Sequence, residues 1–436
     1  MSAIRKPTRR HLAGLTLPAL CTAFVAGPAL AARAPTVEEL WAVIQAQQKE
    51  IQALKAKLAE TDQKVEATAE MLEQGGSAVH AEAAGAPVRA AHEAEGGHQP
   101  FHHGRSGRTT VGGYGEMHYT RLDGEGGASD VREMDFHRFI LFLNHEFDER
   151  TRFASELEVE HAYVKDTGGG DAPGEVALEY AYVERDLRDD LSLRAGMVLV
   201  PVGIINETHE PPTFYGVERP EVEKYILPTT WREGGVQLVW RPRPGWQADV
   251  LLHTGFQTSA SDKYAVRKGR KSVGEAPAND LAFTARVRWT GMPGVELAAA
   301  YQRQGDVTQG TDANAGAANL WTAHAIVQKG RAGLRALYAR WDLDGSGPAS
   351  VGADVQRGWY VEPSWRFNGQ FGAFARYARW DNQAGSGATA SEKRQWNVGL
   401  SWWPHQDVVF KLDWQFQDNA DGKNRDGLNL GVGYMF

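Results

Sequence analysis

The amino-acid sequence predicts an all-β fold, a 16-stranded antiparallel transmembrane β-barrel over residues 109–436, preceded by a short N-terminal coiled-coil helix. Three observations lead there. From residue 109 onward, apolar and polar residues alternate with period two, which puts them on opposite faces of a strand. The connections between these segments are short and long in strict turn. The chain also stops on such a segment. Leu428, Leu430, Val432, Tyr434 and Phe436 share one face, and Asn429, Gly431, Gly433 and Met435 share the other. A bare apolar face at a chain end suits lipid, and closure against the first strand removes the free edges.

Composition narrows the choice. The 436 residues suffice for one large barrel or two to three soluble domains. Mean hydropathy is −0.45, and after residue 31 no apolar run approaches the ~20 residues of a spanning helix. That excludes a helical membrane protein but not a barrel, half of whose residues face water. Fourteen Trp, 13 Tyr and 48 Gly fit aromatic girdles and many turns.

Residues 1–31 read as a secretory signal. Arg5, Lys6, Arg9 and Arg10 form its charged start, Leu12 to Leu30 its apolar run, and Ala29-Leu30-Ala31 its cleavage site. Arg9-Arg10 is a loose match to twin-arginine export. Leu20 before Cys21 lacks the small residue of a lipoprotein site. Cys21 is the only cysteine, so the mature chain has no disulfide and no thiol ligand or nucleophile. Removing the signal takes away four basic residues and no acid, moving the formal charge from −8 to −12. An acidic chain argues against nucleic acid as partner.

Residues 32–72 hold the expected periplasmic coiled-coil helix, over 37–72. Ile44, Ile51, Leu58, Val65 and Leu72 recur every seven residues, with Leu40, Gln47, Leu54, Thr61 and Thr68 between them, an a/d seam. Three of the latter five are polar, so a single surface helix is the competing reading. Residues 73–108 form a Gly/Ala/His-rich linker. His80, His92, His98, His102 and His103 show no ligand spacing, and a flexible spacer accounts for them.

Sixteen period-two segments follow. They start near Thr110, Met134, Thr151, Val176, Leu191, Gly234, Trp246, Leu281, Val295, Asn319, Gly333, Arg357, Phe371, Arg394, Val408 and Gly427. Examples are Trp246, Ala248, Val250, Leu252 and Phe256 against Gln247, Asp249 and His253, and Val408 to Phe416 against Lys411 to Gln417. Each apolar face matches a strand of ~9–11 residues tilted through a bilayer. Short turns such as Asp148-Glu149-Arg150 and Met292-Pro293-Gly294 alternate with longer polar links such as Asp123–Asp130 and Thr258–Asp280. This is the layout of periplasmic turns and extracellular loops.

The longest link, Pro201 to Trp231, follows the fifth segment. Around it stand Leu193-Arg194-Ala195-Gly196, Pro201-Val202-Gly203, Glu218-Arg219 and Arg232-Glu233-Gly234-Gly235. Earlier come Met134-Asp135-Phe136-His137-Arg138 and Arg152-Phe153. In these stretches the chain resembles the phosphate-selective porin O and P family over roughly residues 109–436. The resemblance implies a trimeric 16-stranded porin of the bacterial outer membrane whose third external loop folds into the lumen and narrows it. The carboxyl end likewise resembles the signature of outer-membrane barrels, in which the final aromatic, here Phe436, is read by the barrel-assembly machinery.

A phosphate pore needs basic side chains, because replacing the hydration of an anion takes charge-assisted donors. The inward lumen-wall candidates are Arg138, Arg152, Arg194, Arg286, Arg288, Arg335, Arg376 and Lys411, against Glu116, Glu156, Glu158, Glu160, Glu179 and Asp413. Glu156, Glu158 and Glu160 form a ladder expected to pair with arginines of neighbouring strands. At the constriction the candidates are Arg219, Lys224 and Arg232 with Glu207, Glu210 and Glu218. The loop and its exit add Glu221, Glu223 and Glu233, which makes this region net acidic. Lys263, Arg267, Lys268, Arg270 and Lys271 make the fourth loop a basic patch near the mouth.

A general or weakly selective pore for small hydrophilic solutes or ions, inorganic anions such as phosphate among them, fits this mixture better than a dedicated phosphate channel. His209-Glu210 and Glu218 raise a metal or a catalytic acid, but no nucleophile, base and orienting group stand at a telling spacing. No enzyme, cofactor or metal is expected. The competing function is an envelope tether whose coiled coil reaches the cell wall or a periplasmic partner.

Overall fold

The computed structural model describes residues 108–162, 164, 174–385 and 390–436. The expected signal, coiled-coil helix and nearly all of the linker lie outside these residues, as does most of the link from Lys165 to Gly174. The strands are β1 Thr109–Gly124, β2 Val131–Glu146, β3 Thr151–Glu160, β4 Val176–Arg188, β5 Leu191–Leu199, β6 Arg232–Arg243, β7 Trp246–His253 and β8 Ala282–Met292. Then come β9 Val295–Gln304, β10 Ala318–Lys329, β11 Ala332–Leu343, β12 Val355–Arg366, β13 Phe371–Asp381, β14 Lys393–His405, β15 Val408–Gln417 and β16 Arg425–Met435. Each begins within three residues of the start read from the alternation.

Every strand pairs antiparallel with its neighbours in sequence, and β1 pairs with β16, so the sheet closes as a 16-stranded barrel. The closing ladder runs from Tyr114 opposite Met435 to Gly124 opposite Arg425. It is sealed at the turn end by a reciprocal pair. The Gly113 N–H donates to the Phe436 carbonyl, and the Phe436 N–H to the Gly113 carbonyl, both at 2.9 Å. Closure satisfies the backbone groups that lipid cannot.

The alternation lands as the sequence implies. Val250, Leu252, Phe283, Val287, Val398, Leu400, Phe410, Leu412, Trp414 and Phe416 are exposed on the outer wall. On a soluble protein so broad an apolar surface would be an aggregation liability. Here it is the lipid-facing band. Aromatic rings pair across neighbouring strands within it, as in Tyr377–Trp396 at 4.9 Å and Trp402–Phe410 at 5.2 Å between centroids.

The interior departs from expectation on one side. The small or polar inner face read for the terminal strand does not extend round the barrel: Leu320, Leu337, Trp341 and Tyr360 face inward and are buried, although they sit on strands whose outer face is apolar too. Phe256, read as part of the outer face of β7, lies past the end of that strand and is fully buried. It stacks on Trp231 at 4.5 Å. The physical reason is that loops fold into this half of the lumen and bury apolar side chains against the wall.

Deleting Phe436 removes both closing hydrogen bonds and a ring stacked on Phe139 at 6.1 Å. The expected outcome is a several-fold drop in assembled, heat-modifiable barrel in the outer membrane, with unchanged unitary conductance for the barrels that do insert. Normal assembly of the truncated chain would contradict this closure.

Candidate functional site: the loop across the lumen

The 31-residue connection Pro201–Trp231 between β5 and β6 is built to cross the barrel. Its two ends are stapled by Asn206. The Asn206 Nδ2 donates to the carbonyls of Val200 (2.7 Å) and Trp231 (3.0 Å), and its Oδ1 accepts the Trp231 N–H at 2.6 Å. Four prolines, Pro211, Pro212, Pro220 and Pro228, restrict its backbone between these ends. Within it lie a 3-10 turn, Pro211–Thr213, and one helical turn, Val222–Tyr225.

Apolar loop residues Ile204, Ile205, Phe214, Val222, Ile226, Leu227 and Trp231 are buried. All pack in one cluster with the apolar inner wall. The polar groups of the loop are tied to strands around the circle. Tyr360 donates to Glu223 Oε1 at 2.7 Å, while Glu223 Oε2 accepts the N–H groups of Ile204 and Ile205, each at 2.7 Å. Burial pushes this carboxyl above its ordinary pKa. Trp341 Nε1 donates to the Ile226 carbonyl at 3.0 Å, and Asp413 Oδ2 accepts the Val217 N–H at 2.7 Å.

Arg376 ties the wall to the loop. Its Nε donates to Glu362 (2.7 Å), its Nη2 to the Tyr215 carbonyl (2.8 Å) and its Nη1 to the Glu218 carbonyl (3.2 Å). Where the loop passes β16 the wall carries glycine. A Cβ on Gly433 would stand 2.2 Å from Pro211 Cβ, and one on Gly431 would stand 3.1 Å from Val217 Cγ1.

A model of the family described as phosphate-selective porin O and P matches residues 110–434. The chain belongs to the phosphate-selective porin O and P family. An uncharacterized protein of Aquifex aeolicus strain VF5 is 30% identical over 369 residues, covering 75% of this chain and 80% of that protein. Three solved outer-membrane structures share the fold at 13% identity, each over 75% of this chain. They are OmpF of Salmonella typhi in complex with daunomycin (97% of that chain, TM-score 0.54), an anion-selective porin from Comamonas acidovorans (99%, 0.53) and the channel DcaP of Acinetobacter baumannii (97%, 0.52). The protein is thus an outer-membrane porin, a channel rather than an enzyme.

In this porin several of the charged residues named from the sequence fall into pairs, and others bond neutral groups. Arg138 Nε donates to Glu116 at 2.6 Å. Arg152 meets Glu184 and Asp186, and Arg194 also meets Glu184, at 2.6 Å. Arg286 is held between Asp249 (2.8 Å) and the loop's Glu207. Arg288 donates to Gln247 Oε1 at 3.0 Å. Arg335 reaches the Thr213 carbonyl at 2.7 Å. Glu218 joins His118 Nδ1 (3.1 Å) to Lys224 (3.2 Å). The Lys224 ammonium, helped by His118, holds the Glu218 carboxyl well below the usual carboxylate range.

Arg219 donates to Thr230 Oγ1 at 3.1 Å. Arg232 opens β6 and is buried, as is Glu210. Lys411 has no hydrogen-bond partner for its Nζ among the described residues. The ammonium sits 3.6 Å from the Phe214 ring centroid, a cation–π contact.

One expectation needs correction. The ladder Glu156–Glu158–Glu160 was expected to pair with arginines of neighbouring strands. Glu156, with the neighbouring Glu179, instead meets the imidazole of His209 from the loop, with Nε2 at 3.7 Å and 2.9 Å respectively, whereas Glu158 lies in the field of Arg138 on β2 and Glu160 in that of the fourth loop's Arg267 and Arg270. The sequence set His209 beside Glu210 and Glu218, but its partners are Glu179, thirty positions away, and Glu156, which the β3–β4 pairing places beside Glu179 and the infolded loop brings to His209. Of the basic patch of the fourth loop, Lys263, Lys268 and Lys271 stay exposed while the two arginines turn to the infolded loop. Arg267 donates to the Lys224 carbonyl, and Arg270 to the Thr230 carbonyl at 3.1 Å, so both cap the infolded loop.

Arg376→Ala would strand the buried Glu362 carboxylate and two loop carbonyls. Breaking a buried pair in this way costs about 3–5 kcal/mol. The barrel itself keeps its ladder, so the expected result is a folded barrel with a loosened loop. It should show as cleavage near residues 212–219 by added protease at a rate at least about tenfold above the parent. Equal protease resistance would remove Arg376 from the anchoring.

Proposed function

We propose that this porin passes small hydrophilic solutes and ions down their gradients with weak charge preference, through a lumen narrowed by the loop Pro201–Trp231. The observation that carries this reading is the pairing of the inward charges. Arg138, Arg152, Arg194, Arg286 and Arg376 each bond a carboxylate, and the loop's own Glu218 and Lys224 bond each other. Close opposite charges leave a dipole rather than a net field.

A channel that strips water from phosphate would need several cationic donors free to replace it. Five of the guanidinium groups here are already spent on carboxylates, those of Arg138, Arg152, Arg194, Arg286 and Arg376, and among the described residues Arg219, Arg232, Arg335 and Lys411 are the named inward cations without a carboxylate bond. The anion selectivity named for the Comamonas porin is therefore not carried over as a strong property. The constriction reading rests on the contacts of the loop with wall residues on β1, β8 and β11–β16. The chain is read as a homotrimer embedded in outer-membrane lipid. Its Phe436 is read as the residue met by the assembly machinery, and the constriction residues as Arg219, Lys224, Arg232, Glu207, Glu210 and Glu218.

Planar-bilayer recording of purified protein tests the function. Stepwise conductance is expected, with a reversal potential in a tenfold KCl gradient well short of the ideal value for either ion. An ideal anion potential, or conductance blocked by low phosphate, would replace this reading with a dedicated phosphate channel. No steps at all would remove the pore reading. Lys411→Gln should shift the reversal potential toward cation preference by a few millivolts. Gly433→Val, which forces the loop off the wall, should change the unitary conductance far more. If the loop does not set the narrowest point, the Gly433 variant will conduct like the parent.

A further inference from the structure

We propose that Asp135, His137 and His161 form a binding site for one divalent transition-metal ion of the Zn2+, Ni2+ or Cu2+ class, on the lumen wall near the long-loop end. The site lies at an irregularity in the β1–β2 ladder. Glu116 stands opposite Arg138, but His118 stands opposite Asp135, so Phe136 and His137 occupy the space that Met117 alone fills on β1. Such a bulge re-aims a side chain. Asp135 and His137, two apart, share the inward face, and the bulge turns Arg138 inward beside them; His137 Nδ1 lies 3.2 Å from Asp135 Oδ2, and its ring stacks on His118 at 4.8 Å between centroids.

The third residue arrives from the end of β3. His161 takes a left-handed backbone conformation (φ 53°) just past Glu160, and its N–H donates to the His137 carbonyl at 3.3 Å. Its Nδ1 then lies 2.9 Å from both Asp135 oxygens, with its ring edge-on to His137 at 5.8 Å.

The chemistry of the set selects the ion. Two imidazole nitrogens and one carboxylate oxygen suit Zn2+, Ni2+ or Cu2+, whereas Ca2+ and Mg2+ ask for mostly oxygen. Ligand atoms at ~2.0–2.1 Å from a tetrahedral ion stand about 3.4 Å apart, by the geometry of such sites. The Asp135–His137 and Asp135–His161 separations are 3.2 and 2.9 Å, and one ligand atom from each residue lies within 4.8 Å of the others. A small opening of the triad would seat the ion. The side chains are 24–40% exposed, so the ion has a path in and a fourth position open to water.

Equilibrium dialysis of the full mature chain in detergent against micromolar free Zn2+ tests this. The linker histidines bind in the background, so the comparison is with Asp135→Asn/His137→Gln/His161→Gln in the same full chain. The parent is expected to hold one equivalent per chain more than the triple variant. With Cu2+ in place of Zn2+, the corresponding electron paramagnetic resonance signal should show coupling to two nitrogens. His161→Gln alone, outside the strand ladder, should weaken this equivalent at least about tenfold. It serves as the deciding variant if the triple variant loses the heat-modifiable mobility of a folded barrel. Identical zinc content and affinity in the parent and the folded variant would overturn the site.

Discussion

Lipid offers no partner for a backbone amide, and this constraint shapes everything else in the molecule. A sheet in such a solvent has to close. The reciprocal Gly113–Phe436 hydrogen bonds and the β1–β16 ladder meet that demand at the chain's last residue. Once closed at 16 strands, the barrel encloses more space than side chains alone can fill. The long connection after β5 occupies part of it. Its placement therefore follows from closure. Pro211 reaches the glycine face of β16 because β16 stands where it does.

Inside the lumen a second constraint takes over. Part of the wall is shielded from water by the loop, so charges there are costly unless paired or hydrogen-bonded. The response is visible residue by residue. Arg376 serves one carboxylate and two loop carbonyls, and Glu223 collects two backbone N–H groups and a tyrosine hydroxyl. The same bonds that hold the loop also consume the arginines that an anion would use. Anchoring and selectivity thus compete for one set of side chains, and in this chain anchoring takes most of them. A basic patch in the sequence of the fourth loop is drawn into the same task through Arg267 and Arg270.

Much of the fold was legible because its signal is local. Period-two alternation is written in each segment, so strand starts such as Thr151, Val176, Leu191 and Phe371 could be read directly. The length of Pro201–Trp231 announced a loop large enough to fold inward. Legibility failed where the deciding neighbour is far along the chain. Phe256 continues the alternation of β7, yet it is turned inward because Trp231 and Trp341 make an apolar pocket for it. Glu156 reads as an arginine partner until the loop presents His209. The group of Asp135, His137 and His161 was invisible because His161, past the end of β3, reaches Asp135 across 26 positions only once the strands pair.

The sequence by itself determined the class of the molecule. Alternation, ordered loop lengths and an apolar terminal strand specify a closed outer-membrane barrel, since each reports how backbone and side chains partition between lipid and water. Only the tertiary structure decided which charges remain available in the lumen. That outcome depends on register, on one bulge and on the path of a single loop, and it is set by distances between residues the chain keeps apart by tens to hundreds of positions. Sequence spacing carries no measure of such distances, whereas burial makes each of them energetically consequential.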